Sequence, residues 1–123
     1  MAKYVFVFRY GGIAVEPPLS PSDMEAHMKK WYAWRDQMAR AGHEPAGQAL
    51  ENHGKTLRGR AQAITDGPFT ESKDLVTGTM MITAGSLEEA VSLARGCPIF
   101  EFDGSVEVRP VLGGEPPART ETR

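Results

Sequence analysis

Hydrophobic residues form a pattern that changes along the chain from strand-like to helix-like and back. Residues 4–8 (YVFVF) are all aromatic or β-branched, which is typical of a strand buried on both faces. From residue 24 onward, apolar residues recur at spacings of three and four, which predicts one buried face of a long helix. The apolar positions of this helix are Met24, Met28, Trp31, Trp34, Met38 and Ala41.

The long helix carries clear signals at both ends. Ser20 is suited to accept from free amides as the N-cap, and Pro21 suits the first helical position. Asp23 places negative charge at the positive end of the helix dipole. Gly42 is a natural stop, so we predict a helix that ends at about Ala41.

The second half of the chain predicts several short strands and one more helix. Ser86 and Glu89 form a capping box, in which the serine caps the Glu89 amide and Glu89 reaches back to the serine amide. Gly96 and Pro98 end this helix. The predicted strands are residues 45–50, two arms of a ribbon at 56–58 and 61–64, residues 78–83, and a last strand marked by Val106, Val108 and Val111.

This order of elements predicts an α+β protein. The simplest arrangement is a ferredoxin-like βαββαβ sandwich with both helices on one face of an antiparallel sheet. The other face is then open, and a second copy of the chain is its simplest cover, so we expect a homodimer. Residues 1–112 form one domain, and residues 113–123, rich in Gly, Pro and charge, form a flexible tail.

Composition and charge exclude several classes of protein. The chain has 123 residues, of which 41% are hydrophobic and 24% charged, and its formal net charge is −2. It therefore lacks the basic field that direct nucleic-acid binding or an anionic membrane requires. No apolar run is long enough to span a bilayer. Cys97 is the one cysteine, which excludes an internal disulfide and fits a reducing cytoplasm.

Two short motifs carry a family resemblance. The first is Asp66-Gly67-Pro68-Phe69, followed by Thr70, Glu71 and Lys73; the second is residues 104–110 (GSVEVRP). With the first strand and the helix start, they make residues 3–112 similar to the YCII-related family, in the branch named for its DGPF motif.

The resemblance implies a fold more firmly than a reaction. It implies a dimeric α+β barrel made of two ferredoxin-like sheets. One branch of the family is associated with a histidine on the first helix and an aspartate just after the second, and one lineage of it with removal of chloride from chlorinated aromatics. Here Trp31 stands in the place of that histidine and Cys97 in the place of that aspartate. We therefore do not carry the pair, or dehydrohalogenation, over to this chain.

Two residues are candidates for acid/base catalysis. Asp66 is suited first to hold a rigid turn, and it can also present its carboxylate to a site as a base. His27 lies one helical turn before Trp31 and is a candidate base by displacement from the family position. Its simpler interpretation is a half-exposed helix histidine beside aromatic residues, and we expect this one.

Four residues are candidates for ligand binding. Trp31 and Phe69 are candidate aromatic walls of a cleft near Asp66, and the alternative for both is a place in the core. Arg9 ends the first strand and Arg109 lies in the last, and these strands are neighbours in a ferredoxin-like sheet, so the two guanidinium groups are able to converge on an anion. The simpler alternative is surface pairing of both with an acid such as Glu107.

The sequence contains no motif for a cofactor or a metal. No two histidines share metal-ligand spacing, and glycine pairs lack the further spacing of a phosphate loop. Cys97 follows a helix C-terminus, where the dipole raises the pKa of a thiol, so we expect a buried, inert residue.

Three hypotheses for function follow. The first is a small-molecule binding protein with acid/base chemistry of a lyase or isomerase type. The second is a non-enzymatic regulatory module that partners a sigma factor, because DGPF relatives often lie beside or are fused to extracytoplasmic-function sigma factors. The third is a structural dimer without a ligand.

Overall fold

Alternation along the first strand places every second side chain in the core. β1 (Ala2–Arg9) buries Tyr4, Phe6 and Phe8, whereas Val5 and Val7 between them are only half-buried. The prediction that this strand is buried on both faces is therefore wrong within a single chain. The reason is that both helices pack against the same face of the sheet.

The computed structural model describes residues 1–11, 17–67 and 72–113. The predicted tail lies outside the described residues from residue 114 onward, as do residues 68–71 of the DGPF region. After β1 the elements are α1 (Pro21–Arg40), β2 (Ala46–Ala49), β3 (Gly54–Arg58), β4 (Ala63–Gly67), β5 (Val76–Ala84), α2 (Leu87–Ala94) and β6 (Ser105–Pro110). Short 3₁₀ turns occupy Ser72–Asp74 and Pro98–Phe102.

Four of the six described strands form one antiparallel sheet in the order β2-β5-β1-β6. This is the order of a ferredoxin-like βαββαβ fold, so the predicted α+β class is confirmed. β3 and β4 pair only with each other and form a separate hairpin inserted between β2 and β5.

The ends of the helices lie where their caps predict. Ser20 Oγ accepts from the Asp23 amide at 3.1 Å, and Gly42 adopts a φ of 86° just after the helix, which few residues other than glycine tolerate. Neither described helix combines the length and apolar character needed to cross a membrane.

The cap of α2 differs in one detail from the prediction. Ser86 Oγ accepts from the Glu89 amide at 3.1 Å, as expected. Glu89 Oε1, however, accepts from the amide of Gly85 at 2.6 Å and not from that of Ser86. The glutamate side chain thus reaches one residue further back and satisfies the amide at the end of the preceding turn.

The core forms where the two helices meet the sheet. Trp34 of α1 stacks on Phe6 with ring centroids 6.0 Å apart, and its indole N–H donates to the Leu93 carbonyl of α2 at 3.0 Å. Ala90 and Ala94 keep α2 close to the sheet because their side chains are small, and both are buried. One layer of side chains therefore joins α1, α2 and β1.

Candidate functional site

A cavity of about 200 Å³ lies between α1 and the sheet. Its walls are formed by one face of α1, by side chains of β1, β5 and the 3₁₀ turn at Pro98–Phe102, and by residues of the edge strand β2. The lining residues are Phe8, Tyr10, Met24, His27, Met28, Trp31, Tyr32, Arg35, Gly47, Gln48, Ala49, Thr77, Thr79, Met80 and Ile99. Most are apolar or aromatic, as is usual for a small-molecule site.

The inner wall contains a chain of hydrogen bonds that begins on α1. Trp31 Nε1–H donates to His27 Nε2 at 2.9 Å, and His27 Nδ1 lies 2.9 Å from Glu101 Oε1. An indole N–H only donates, so His27 Nε2 must accept and the ring is neutral with its proton on Nδ1. His27 Nδ1–H therefore donates to Glu101. Lys30 Nζ pairs with the second oxygen of the same carboxylate.

Helix spacing explains why three of these hydrogen-bonded residues lie on the same side of α1. His27, Lys30 and Trp31 are related by i, i+3 and i+4 positions and so lie on one face of α1. Glu101 comes from the 3₁₀ turn after α2, which packs against that face. The ring of Phe102 meets His27 edge-on with centroids 4.8 Å apart, which further fixes the imidazole.

The two ends of the His27–Glu101 hydrogen bond differ in their exposure to solvent. The His27 side chain is 3% exposed, whereas that of Glu101 is 38% exposed. The hydrogen bond from Lys30, and then the one from His27, hold the pKa of the Glu101 carboxyl below its usual value. Glu101 is therefore an anion at neutral pH, with one carboxylate oxygen 2.9 Å from His27 Nδ1.

Comparison with known families decides what this chain is. Residues 4–114 match the YCII-related domain family. The chain belongs to the YCII-related family. A search of curated proteins finds no significant match. The family assignment agrees with the resemblance seen in the sequence, while the DGPF branch continues to rest on the motif that begins at Asp66.

Within this YCII-related domain, the expectation for His27 was wrong. His27 is not half-exposed, and it does have a carboxylate partner after the second helix. The carboxylate lies at Glu101, four residues beyond Cys97, and the histidine lies one turn before Trp31. A histidine–carboxylate pair thus exists here at shifted positions. The role of His27 as a base remains a prediction.

Of the other predicted aromatic and acidic residues, Trp31 and Asp66 lie in the described part of the chain, and only Trp31 lines the cavity. Phe69 lies outside the described residues. Asp66 lies in β4 with its side chain 79% exposed and paired with Lys55, across the hairpin. Asp66 is not among the lining residues, so the cavity is not beside it as predicted. The cause is that β3 and β4 form a hairpin separate from the main sheet.

Arg9 and Arg109 lie on adjacent strands, as expected, but they do not line the cavity. Arg9 NH1 pairs with Glu107 Oε1 at 2.7 Å, and Arg109 Nε lies 3.9 Å from Glu107 Oε2. The structure therefore shows the simpler alternative, in which both cations share one surface acid.

Cys97 is buried, and burial raises the pKa of its thiol to about 12. The thiol is therefore un-ionised at neutral pH, as the inert interpretation requires, although desolvation rather than the helix dipole is the main cause.

Sequence reasoning missed two residues of the site, Glu101 and Arg35. Arg35 continues the stripe of α1 that includes Met24, Met28 and Trp31, so helical spacing was a usable signal for it. Glu101 lies 74 residues from His27, and its only signal was an acid in the short segment between Pro98 and the last strand.

Proposed function

We propose that this YCII-related domain binds a small organic molecule in the cavity between α1 and the sheet. The observation that supports this proposal most directly is the cavity itself, with apolar and aromatic walls and a few polar groups at fixed places. Trp31 and His27 line it together, so a ligand there meets the hydrogen-bonded chain that ends at Glu101.

The chemistry proposed for this site is proton transfer of a lyase or isomerase type. A ligand group that replaces the Trp31 N–H at His27 Nε2 places its own proton against that nitrogen. His27 then takes the proton while the electron pair stays on the ligand, and Glu101 stabilises the imidazolium. Return of the same proton to a different ligand atom completes an isomerisation.

The test has a binding step and a chemical step. The purified protein is screened by thermal shift against small acids, phenols and catechols, where a ligand at a hundred times its dissociation constant adds about 2.7 kcal/mol. Each hit is then incubated with the protein in D₂O, and exchange of ligand C–H for C–D is followed by NMR. His27→Gln should abolish exchange, while His53→Gln, at an exposed turn histidine, should not.

The outcomes separate the parts of the proposal. Binding with exchange that depends on His27 supports an enzyme. Binding without exchange leaves a binding module and removes the proposed chemistry. A complete lack of binding across the screen removes the proposed function.

We also propose that the protein is a cytoplasmic homodimer. The face of the sheet opposite the helices presents Val5 and Val7, which are half-buried, and Met81, which is 39% exposed. A second copy placed on this face would bury these apolar side chains and close the α+β barrel that the family resemblance implies.

The second candidate function is a regulatory module that docks on a sigma factor. One observation favours it: Leu57 and Ile64 face each other across the hairpin and are 59% and 66% exposed. Large contiguous apolar patches mark protein interaction sites, and this pair supplies the apolar centre that such a patch on the hairpin would need. Titration of a purified extracytoplasmic-function sigma factor with the wild type and with Leu57→Ser tests this candidate, and equal binding by both would remove the hairpin from it.

A further inference from the structure

We infer that the ligand of the cavity is a small organic acid with one negative charge, bound through its anionic group to Arg35. This inference rests on the proposed function, because it assigns a ligand class to the same cavity. It adds what the apolar walls alone do not decide, namely the sign and number of charges on the ligand.

Arg35 is the cation of the cavity whose charge is not neutralised. It lines the cavity from α1, and among residues 1–11, 17–67 and 72–113 it has no acid within ion-pair distance. Lys30, on the same helix, is already paired with Glu101. Asp36 is adjacent in sequence and so points away from Arg35 on the helix surface.

The chemistry of a guanidinium group favours a carboxylate. Arginine stays charged at all relevant pH values, and its planar fork donates two parallel hydrogen bonds to the two oxygens of a carboxylate. A cationic ligand would be repelled by the same group. Arg35 is exposed, so it holds the anionic group where the cavity meets solvent, and the rest of the ligand lies against the apolar walls. A second charge on that inner part would carry a large desolvation cost.

The remaining walls select the rest of the ligand. Trp31 and Met80 lie on opposite sides of the cavity, from α1 and β5, and an aromatic ring and a thioether both pack well on flat or unsaturated groups. At about 200 Å³ the cavity is smaller than the pockets of roughly 300–1,000 Å³ that hold drug-sized ligands. A single ring or a short unsaturated chain with one carboxylate fits this space.

The experiment uses ligands matched in shape and different in charge. Benzoate, benzamide and benzylamine are titrated into the full chain, and binding is followed by calorimetry and by tryptophan fluorescence. The same titrations are made on Arg35→Gln and on Arg40→Gln. Arg40 is a matched control because it is an exposed arginine of α1 outside the cavity.

The expected result is specific to one ligand and one variant. Because Arg35 is exposed, benzoate should bind the wild type about two to five times more tightly than benzamide, the range of a solvent-exposed charged pair. Arg35→Gln should remove that advantage and leave benzamide binding unchanged. Arg40→Gln should behave like the wild type, and Arg35→Lys should fall between the two.

Failure of the inference differs from failure of the proposed function. Equal affinity for benzoate and benzamide overturns the acid assignment but leaves a small-molecule site. An affinity for benzoate that is unchanged in Arg35→Gln has the same meaning. Binding of benzylamine alone does the same. Binding of none of the three, with all variants folded by circular dichroism, overturns the acid assignment alone if the thermal-shift screen still yields a ligand, and overturns both if that screen yields none.

Discussion

Two glutamate–histidine pairs in this chain show how burial decides what one contact contributes. His27 and Glu101 meet at 2.9 Å, and His53 and Glu51 meet at 3.1 Å, so the two geometries are similar. The His27 side chain is 3% exposed, however, whereas that of His53 is 83% exposed. Water readily replaces a lost partner for His53, whereas the Nδ1 side of His27 is packed against protein and is poorly placed to gain one.

The first prediction compares the loss of each acid. Glu101→Ala leaves a buried imidazole donor without a partner, so it should lower the free energy of unfolding by about 1–3 kcal/mol. Glu51→Ala removes an exposed pair and should change it by less than about 1 kcal/mol. Urea unfolding of both variants measures the difference. Similar losses in the two variants would mean that His27 is not held through Glu101.

The second prediction concerns pH. The pKa of Glu101 is lowered on folding from its ordinary value of 4.5 by the Lys30 and His27 hydrogen bonds. The folded state thus binds fewer protons, so Glu101 adds stability above about pH 4.5, and this contribution is lost as the pH falls through the folded pKa.

Urea unfolding between about pH 7 and pH 3 should therefore show a smaller acid loss of stability in Glu101→Gln than in the wild type. Asp103 also has a lowered pKa, caused by its hydrogen bond with Lys73, and it should leave part of the slope in place. Identical slopes in the variant and the wild type would contradict the prediction.

Among the elements, the 3₁₀ turn at Pro98–Phe102 depends on two glycines. Ile99 is 1% exposed and packs against Gly11 and Gly104. A methyl group at Gly104 would meet the Ile99 side chain and lie 2.9 Å from the Arg9 carbonyl oxygen. The close approach of this turn to the end of β1 is what brings Glu101 to α1.

The third prediction is that Gly104→Ala strains this turn. Overpacking should lower the free energy of unfolding by about 1–3 kcal/mol. Gly54→Ala is the matched control, because a methyl group there lies 3.8 Å from the nearest carbonyl oxygen. Chemical unfolding of both variants measures the effect, and an equal response would show that the turn has room to move.

Elements with local signals were predictable from the sequence. The start and end of α1 follow from Ser20, Pro21 and Gly42, whose preferences act within a few residues. The Ser86 cap and the strand pattern of β1 are local in the same sense. These elements and their order were sufficient to predict the ferredoxin-like sheet.

The site was less predictable because its geometry is not local. The Glu101–His27 contact depends on how a turn after α2 packs on α1, and no periodic pattern encodes that packing. Asp66 belongs to a recognisable motif but lies on a hairpin, and the motif does not determine where that hairpin lies relative to the sheet. Trp31, by contrast, could be placed at the cavity from helical spacing.

For the whole molecule, the sheet face opposite the helices presents the half-buried Val5 and Val7 and the exposed Met81. The fourth prediction is that Met81→Lys, on this face, weakens the proposed dimer because it places a charge among Val5 and Val7 of both copies. Val91→Lys is the control, since Val91 is similarly exposed at 37% but lies on α2. Sedimentation equilibrium should show monomer for the first variant and the wild-type assembly for the second.

A wild-type chain that sediments as a monomer, or a dimer that Val91→Lys disrupts and Met81→Lys does not, would contradict this arrangement. The second result would place the contact on the helical side of the molecule.

The position of β1 in the sheet has a consequence for synthesis. β1 is made before the other described strands, yet both of its neighbours, β5 and β6, come much later in the sequence. At a translation rate of about 5–20 residues per second, the first strand waits on the order of ten seconds for its pairing partners. During that interval its backbone is an unpaired edge available to other nascent chains. We therefore expect the chaperone requirement of this protein to depend on how long β1 stays unpaired during synthesis, and not only on the stability of the final fold.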